Sequence, residues 1–318
     1  MWHGVTRAIV LCSLWLPCSF GAELGLAAKS VNELVRDLAS EDRKSAEAAM
    51  YELGRRGRPA LATLTAHIRD PKTKARDQAV ICLGLINDPD TVPFLIECLR
   101  DEERTVRGRA AYALSQIGGE QARVELVAFL AKCLKDDTFN LTKAAESLKE
   151  LPDPRALPSL LRIVEEASRG GGTGSRGYPV RYAAQALGKI GDPRASGPIA
   201  RLLDPAAPYS LSNDYLCLQA ILGTKGKEAL PSLVSYLGAL VRKMEGQPEL
   251  GPLAGHRAAL LMTVGADNRQ KSYNYDMYYQ TLRCLEALSG QKPKGTTRQE
   301  ALRFWQGCLA QWERKEGR

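Results

Sequence analysis

Three metal-ligating side chains recur at one register of this chain. His67, Cys98 and Cys133 occupy the same place in three successive stretches of similar sequence. Imidazole and thiolate are donors that zinc takes, but zinc needs four donors converging at tetrahedral angles. Equivalent positions on stacked helices point in parallel across about 8–10 Å, so they do not share a focus. The next member of the column is Ile163, an apolar residue. The column therefore reads as packing, and no metal or other cofactor is expected.

Other chemistry is equally unmarked. Beyond the first 22 residues the histidines are His67 and His256, followed by Ile68 and Arg257. No nucleophile with an adjacent base announces itself. Ser168–Gly177 reads Ser-Arg-Gly-Gly-Gly-Thr-Gly-Ser-Arg-Gly. It lacks the Gly-Lys-Ser/Thr ending of a phosphate-binding loop and follows a helical run where such a loop follows a strand. It reads as a surface insertion. The six cysteines beyond the leader (Cys82, Cys98, Cys133, Cys217, Cys284 and Cys308) form no Cys-x-x-Cys pair. All lie in helical runs at apolar-compatible positions, and are expected as mostly unpaired, buried thiols.

What would position any of these residues is a repeat. An Ala-rich run ending in Leu-Gly returns every 30 to 40 residues, at Leu53-Gly54, Leu83-Gly84, Leu187-Gly188 and Leu222-Gly223. Leu114-Ser115 and Leu148-Lys149 hold the same place. A period of this length with two runs per unit predicts stacked helical hairpins. First helices are expected near Lys44–Leu53, Lys74–Ile86, Val106–Ile117, Leu141–Leu151, Val180–Ile190 and Tyr215–Leu222. Second helices are expected near Pro59–Ile68, Thr91–Leu99, Ala122–Leu134, Ala156–Val164, Pro198–Leu203 and Leu230–Val241, most with Pro in the first turn, where its missing N–H costs little. Gly after the last Leu suits either a helix exit or tight packing. A capping box at Ser30 and Glu33 opens a lone leading helix, and a second box at Thr297 and Glu300 opens a closing one. In that closing helix Trp305 and Trp312 share an apolar face suited to an end plate. Glu245–Gly255 reads as a loop, and the repeat after it, His256–Val264 then Tyr273–Leu288, is degenerate.

Val106-Arg-Gly-Arg-Ala-Ala-Tyr-Ala-Leu and Val180-Arg-Tyr-Ala-Ala-Gln-Ala-Leu-Gly-Lys-Ile-Gly-Asp-Pro resemble the HEAT-like repeat of the phycobilisome-lyase type. The resemblance spans roughly Ser30 to Gly290. It implies an all-α fold, an α-α superhelix of about six to seven HEAT-like hairpins with end caps. The solenoid would occupy 23–290 and a capping helix 291–318. It also implies inter-repeat charge pairs, in which an Arg early in the first helix meets an acid of a neighbouring repeat. Arg76, Arg107 and Arg181 match that position, with Asp101, Asp136 and Asp204 as candidate partners. For activity the resemblance implies little, since one repeat serves unrelated functions. The His-Glu pairs of another HEAT-like family, deoxyhypusine hydroxylase, are absent. A bilin lyase acts inside the cell, which argues against carrying that activity over to an exported chain.

Export is expected from the N-terminus. A short stretch with Arg7, an apolar run from Ala8 to Leu16 and the small residues before Ala22 have the form of a cleaved secretory leader over 1–22. The apolar run is too short to span a bilayer. Leu16-Pro17 before Cys18 is a poor lipidation site. The 44 Lys and Arg against 36 Asp and Glu give a formal +8, spread without a long run. Such a balance first describes a charged, soluble surface. It allows attraction to an anionic envelope polymer, while an exported address disfavours nucleic acid. Tyr273, Tyr275, Tyr278 and Tyr279 crowd into seven residues and suit either partner contact or a seal over the last repeat. The expected function is a non-catalytic scaffold outside the cytoplasm, whose curved inner face, built mainly from the second helices, holds a protein partner. The alternatives are a binder of anionic polymers and a lyase-type enzyme.

Overall fold

The computed structural model describes residues 25–135, 138–169, 177–206, 214–245, 266–293 and 297–316. The leader and Cys18, Asp136, most of Ser168–Gly177, the Glu245–Gly255 loop beyond Glu245, and His256–Val264 lie outside them. The described residues are helical, without strands. A leading helix α1 (Val31–Asp37) is followed by α2 (Arg43–Arg56) and α3 (Leu61–Arg69), α4 (Arg76–Ile86) and α5 (Val92–Cys98), and α6 (Arg104–Ile117) and α7 (Glu120–Cys133). Then come α8 (Thr138–Glu150) and α9 (Leu157–Arg169), α10 (Tyr178–Ile190) and α11 (Ser196–Ala200), and α12 (Asp214–Thr224) and α13 (Leu230–Lys243). The chain closes with α14 (Ala266–Ser289) and α15 (Arg298–Glu316). It divides into two compact units, Met1–Glu125 and Leu126–Arg318, within α7.

The local signals act where the sequence places them. Glu33 N–H donates to Ser30 Oγ at 3.3 Å while Ser30 N–H donates to Glu33 Oε2 at 2.6 Å. Thr297 and Glu300 exchange the same pair of bonds at 3.0 and 3.2 Å. The Asp of each Asp-Pro turn accepts a backbone N–H two residues on: Asp88 from Asp90, Asp153 from Arg155 and Asp192 from Arg194, at 2.8–3.0 Å. Pro then opens a single 3-10 turn, as in Pro89–Thr91, Pro154–Ala156 and Pro193–Ala195, which leads into the second helix. Three boundaries differ most from expectation, among them α9, which runs on past Val164 to Arg169. Helix α11 spans only Ser196–Ala200, and α14 starts seven residues earlier than Tyr273, because Ala266–Ser272 carries no helix breaker.

The glycines of the Leu-Gly landmarks do not end helices. Gly54, Gly84, Gly188 and Gly223 all lie inside them, and the exits come later, at left-handed residues such as Asn87 (φ 56°), Gly118 (φ 80°) and Gly191 (φ 77°). What the landmark glycines do is pack. A methyl at Gly84 would meet Ala113 Cβ at 3.0 Å across the α4–α6 contact. One at Gly188 would meet Ala220 Cα at 2.7 Å, and one at Gly223 would strike the Gly188 carbonyl. The first helices of each unit therefore approach backbone to backbone, with Ala79, Ala110, Ala111, Ala183, Ala184 and Ala186 buried in the seams. The second helices bury larger side chains instead, such as Leu64, Ile68, Leu95 and Leu99 in the first unit and Leu160, Val164, Leu233 and Leu237 in the second. In the second unit α15 carries Trp305, which is 1% exposed. Trp312, expected on the same apolar face, is half-buried.

Gly223→Ala should open the α10–α12 contact and cost about 1–3 kcal/mol, read as a lower urea midpoint; an unchanged midpoint would show that the seam relaxes freely. Ala75 holds φ at 60° without being glycine. Ala75→Gly should therefore raise stability by up to about 1 kcal/mol, net of the entropy glycine adds to the unfolded chain.

Candidate functional site

Charge pairs organise the edges of the first unit. Arg76, the first residue of α4, is 6% exposed and turned along the hairpin seam. Its Nε donates to the Ile68 carbonyl of the preceding hairpin at 2.7 Å, and its two terminal nitrogens reach the Asp101 carboxylate, in the turn between α5 and α6, at 3.2 and 2.5 Å. That fork is the geometry in which a guanidinium holds a carboxylate most tightly. The expected Arg76–Asp101 pair is thus present. Arg107 behaves differently, donating to the backbone carbonyls of Asp101 and Glu102, in the turn that leads into its own helix, at 2.8 and 2.9 Å. Arg181 is exposed, and the described residues show no ion pair between it and Asp204. Asp204 instead accepts the Ala206 N–H at 2.8 Å, because it folds back on the turn that ends its own hairpin.

The sequence reading missed a second ladder. Arg58 of one turn reaches forward to Asp88 and Asp90 of the next, at 2.5 and 2.8 Å. In the second unit the same turn aspartates are served locally, Asp153 by Arg155 and Asp192 by Arg194, at 2.5 and 2.8 Å. The signal was available in the repeated Asp-Pro-Arg-Ala at 153–156 and 192–195, against Asp-Pro-Asp-Thr at 88–91, where the arginine must come from elsewhere. Glu52, also buried, binds Arg55 and Arg56 at 2.8 and 2.9 Å. The Arg55 hydrogen bond, with help from Arg56, holds its carboxyl below the ordinary value despite burial.

The four tyrosines of α14 split. Tyr275 and Tyr278 are 2% and 4% exposed, on the stripe that carries Met277, Cys284 and Leu285 into the core. Arg298 of α15 lies 5.6 Å over the Tyr275 ring, and Tyr278 meets Tyr279 edge to face. These two seal the last hairpin, and burial removes them from the expected partner contact. Tyr273 and Tyr279 are half-buried. Tyr273 Oη donates to Asp214 Oδ2 at 3.4 Å, beside a stronger bond from Tyr236 Oη at 2.6 Å. Asp214 also accepts the Asp204 N–H, so one buried carboxylate ties the turn before α12 to α13 and α14. Burial and that carboxylate push the Tyr236 phenol far up.

The thiols face inward. Cys82, Cys98, Cys133, Cys217 and Cys284 are buried and unbridged, and Cys308 is half-buried. Burial pushes Cys98, Cys217 and Cys284 up to about 12. His67 Nε2 lies 2.9 Å from the Lys74 carbonyl, engaged by its own hairpin.

The outward stripes of the first helices differ from repeat to repeat. In the first unit they carry Tyr51, Gln78, Ile81, Arg109 and Tyr112. In the second, α8 and α10 build a polar and aromatic cluster. Glu146, 8% exposed, takes Lys143 Nζ at 2.8 Å and bonds the Tyr182 phenol, which burial and then that carboxylate raise to about 12. Lys149 Nζ sits 5.0 Å above the Tyr182 ring, Tyr178 stacks on Tyr182 at 6.3 Å, and Lys189 Nζ bonds the Lys149 carbonyl at 2.7 Å.

Comparison with known proteins places this geometry in a repeat class. A family model described as HEAT repeats matches residues 61–145, and one described as the PBS lyase HEAT-like repeat matches residues 180–205. No curated protein matches the chain. Among solved structures, the chain is similar to an engineered protein at 19% identity and a TM-score of 0.44, over 88% of this chain and 77% of that one. It is also similar to the complex of CpcE and CpcF of phycocyanin lyase from Nostoc sp. PCC7120, at 18% identity and a TM-score of 0.35, over 79% of this chain and 95% of that one.

Arg76→Ala should cost about 3 kcal/mol, because it strands the Asp101 carboxylate and the Ile68 carbonyl in poorly hydrated sites, whereas exposed Arg181→Ala should shift the urea midpoint negligibly. For Glu52→Gln, the folded pKa lies below the unfolded one, so the stabilisation is complete above the unfolded value and fades as pH falls through the folded one. The variant should be less stable by about 1 kcal/mol at pH 7, a figure that allows for the exposure of Arg55, and should match the parent near pH 2 in urea titrations.

Proposed function

We propose that this HEAT-repeat protein is a non-catalytic, protein-binding scaffold that works outside the cytoplasm. The observation carrying the reading is the contrast within the first-helix layer. Its inner side is glycine and alanine packed to backbone contact, which suits a rigid frame. Its outer side varies from repeat to repeat, with Tyr51, Arg109 and Tyr112 in one unit and Tyr178, Arg181 and Gln185 in the other. A frame that repeats and a surface that does not is what a modular binding protein needs. Tyr and Arg are also the side chains that carry most interface energy.

This assigns the binding face to the first helices, where the sequence alone favoured the second. In a stack of hairpins the layer whose axes lie closer together takes the inside of the curve. Glycine-mediated approach in α4–α6 and in α10–α12 therefore favours the first helices as the concave side of each unit. Export is supported by the apolar run Ala8–Leu16 and the small residues before Ala22. No helix among the described residues is long and apolar enough to cross a membrane.

A photo-crosslinking residue placed at Gln185, on the first-helix face, should capture a discrete protein in envelope extracts at moderate salt. The same residue at Arg162, exposed on α9, should capture little. Capture from position 162 alone would overturn the assignment of the face, and loss of all capture above low salt would favour an anionic polymer. Sequencing of the exported protein should begin at Ala22 or Glu23; an intact Met1 in the cytoplasmic fraction would refute the location.

A further inference from the structure

The α8–α10 cluster has a definite chemical character. Its cations are Lys143, Lys149, Arg181 and Lys189, against the carboxylates of Glu146 and Glu150. Both carboxylates are already engaged, Glu146 by Lys143 and Glu150 by Lys149 at 2.7 Å, with Lys189 at 4.0 Å. The excess is therefore positive, and it sits on the outward stripe of α10, where Arg181 and Lys189 are exposed. The same stripe presents an aromatic surface. Tyr178 is 55% exposed, among the most exposed large apolar side chains of the described residues. Its ring is not mobile on its own account, since it stacks at 25° to Tyr182, which Glu146 anchors and Lys149 caps.

That combination selects a ligand class. A held tyrosine ring offers stacking area at little entropic cost. Arg181 offers a planar fork for a carboxylate, and guanidinium suits carboxylates better than ammonium does. The first turn of α10 adds polarity of the same sign. Its cap is Gly177, which has no side chain to take up the free N–H groups, so the helix terminus favours a negative group nearby. A basic ligand would meet the positive excess, and a purely apolar one would leave Arg181 and Lys189 desolvated.

We propose that the α8–α10 face binds an acidic segment of a partner protein, with an aromatic side chain of that segment stacked on Tyr178 and a carboxylate on Arg181. The inference rests on the scaffold reading and names the partner's chemistry. Lys189, further along the same stripe, and Lys149, next to it on α8, take the following carboxylates, while Glu146 and Tyr182 form the fixed floor. The segment is extended, because the stripe at 178, 181, 185 and 189 runs along a single helix.

The test uses the full chain from Ala22 and a fluorescein-labelled synthetic peptide that alternates glutamate with phenylalanine. Its lysine-for-glutamate counterpart and polyglutamate serve as controls. Fluorescence anisotropy should show saturable binding of the acidic aromatic peptide and none of the lysine peptide. The double variant Tyr178→Ala, Arg181→Glu should weaken binding at least tenfold while keeping the parental melting curve, since both side chains are exposed. Binding should fall severalfold between 50 and 300 mM salt, as expected of partly exposed pairs.

Equal binding by polyglutamate would mean attraction to negative polymers without side-chain recognition, and would overturn the proposal. So would full binding by the double variant. If binding is instead lost in Arg109→Glu, Tyr112→Ala, the segment docks on the other unit and this inference fails while the scaffold reading stands. Absence of any peptide binding would also sink it, and capture at position 185 would still decide the scaffold reading separately.

Discussion

Backbone contact between the first helices is the constraint on which the rest of each unit depends. At Gly188 and Gly223 there is no room for even one methyl group. Ordinary helix pairs sit about 8–10 Å apart because side chains interdigitate between them. Where glycine and alanine remove those side chains, the helices approach further and the seam becomes a surface of many weak contacts at full density. Three consequences follow. The seam has no space for long side chains, so a first helix buries its large residues, such as Leu53, Leu83, Leu114 and Leu187, outside it. The second helices add aliphatic bulk of their own, as Leu64, Leu95, Leu160 and Leu233 do. The turn between the two helices must then be held in register by something other than packing, and that task falls to charge.

The turn aspartates show how that is done. Asp88, Asp153 and Asp192 each cap the 3-10 turn that starts a second helix. Each also carries a negative charge, which an arginine neutralises. In the second unit the arginine is two residues away, and the turn is self-contained. In the first, Arg58 crosses from the preceding turn and makes the same cap into an inter-repeat bond. Arg76 to Asp101 does the equivalent at the other end of the hairpin. The first unit is thus cross-linked by charge at both rims, while the second relies more on the glycine seam of α10 and α12 and on the buried Asp214 that gathers Tyr236 and Tyr273.

Much of this was legible in the sequence, and the reasons differ by element. Periodicity revealed the hairpins because a solenoid repeats its core positions along the chain. Capping boxes at Ser30 and Thr297 were readable because they are local. Arg76 and Asp101 were found because the family resemblance supplied the register. The role of the landmark glycines was ambiguous, since exit from a helix and close approach favour the same residue, and only three dimensions separate them. Arg181 was misassigned to Asp204 by register alone, for a turn that folds back on itself satisfies its own carboxylate first. The tyrosines of α14 were undecidable from spacing, because a degenerate hairpin needs the same aromatic cover that an interface uses. Arg58 was overlooked because its partners lie a full repeat away and the local motif there lacks its usual arginine.

The buried cysteines carry a consequence for how this chain survives synthesis. Oxidation and disulfide exchange proceed through the thiolate. Raising a thiol from 9.0 to about 12, as burial does for Cys98, Cys217 and Cys284, lowers the thiolate fraction at neutral pH about a thousandfold. The finished fold thus hides its own reactive groups, and the unfinished chain does not. In oxidising surroundings the two states would compete in time: hairpins that close quickly shelter their sulfur, and a chain held open offers each thiol several wrong partners. Short-range contacts make such repeats quick to close. In such surroundings the local order of each hairpin would protect its sulfur, and whatever delays a hairpin would expose it to cross-wiring that only thiol–disulfide exchange undoes.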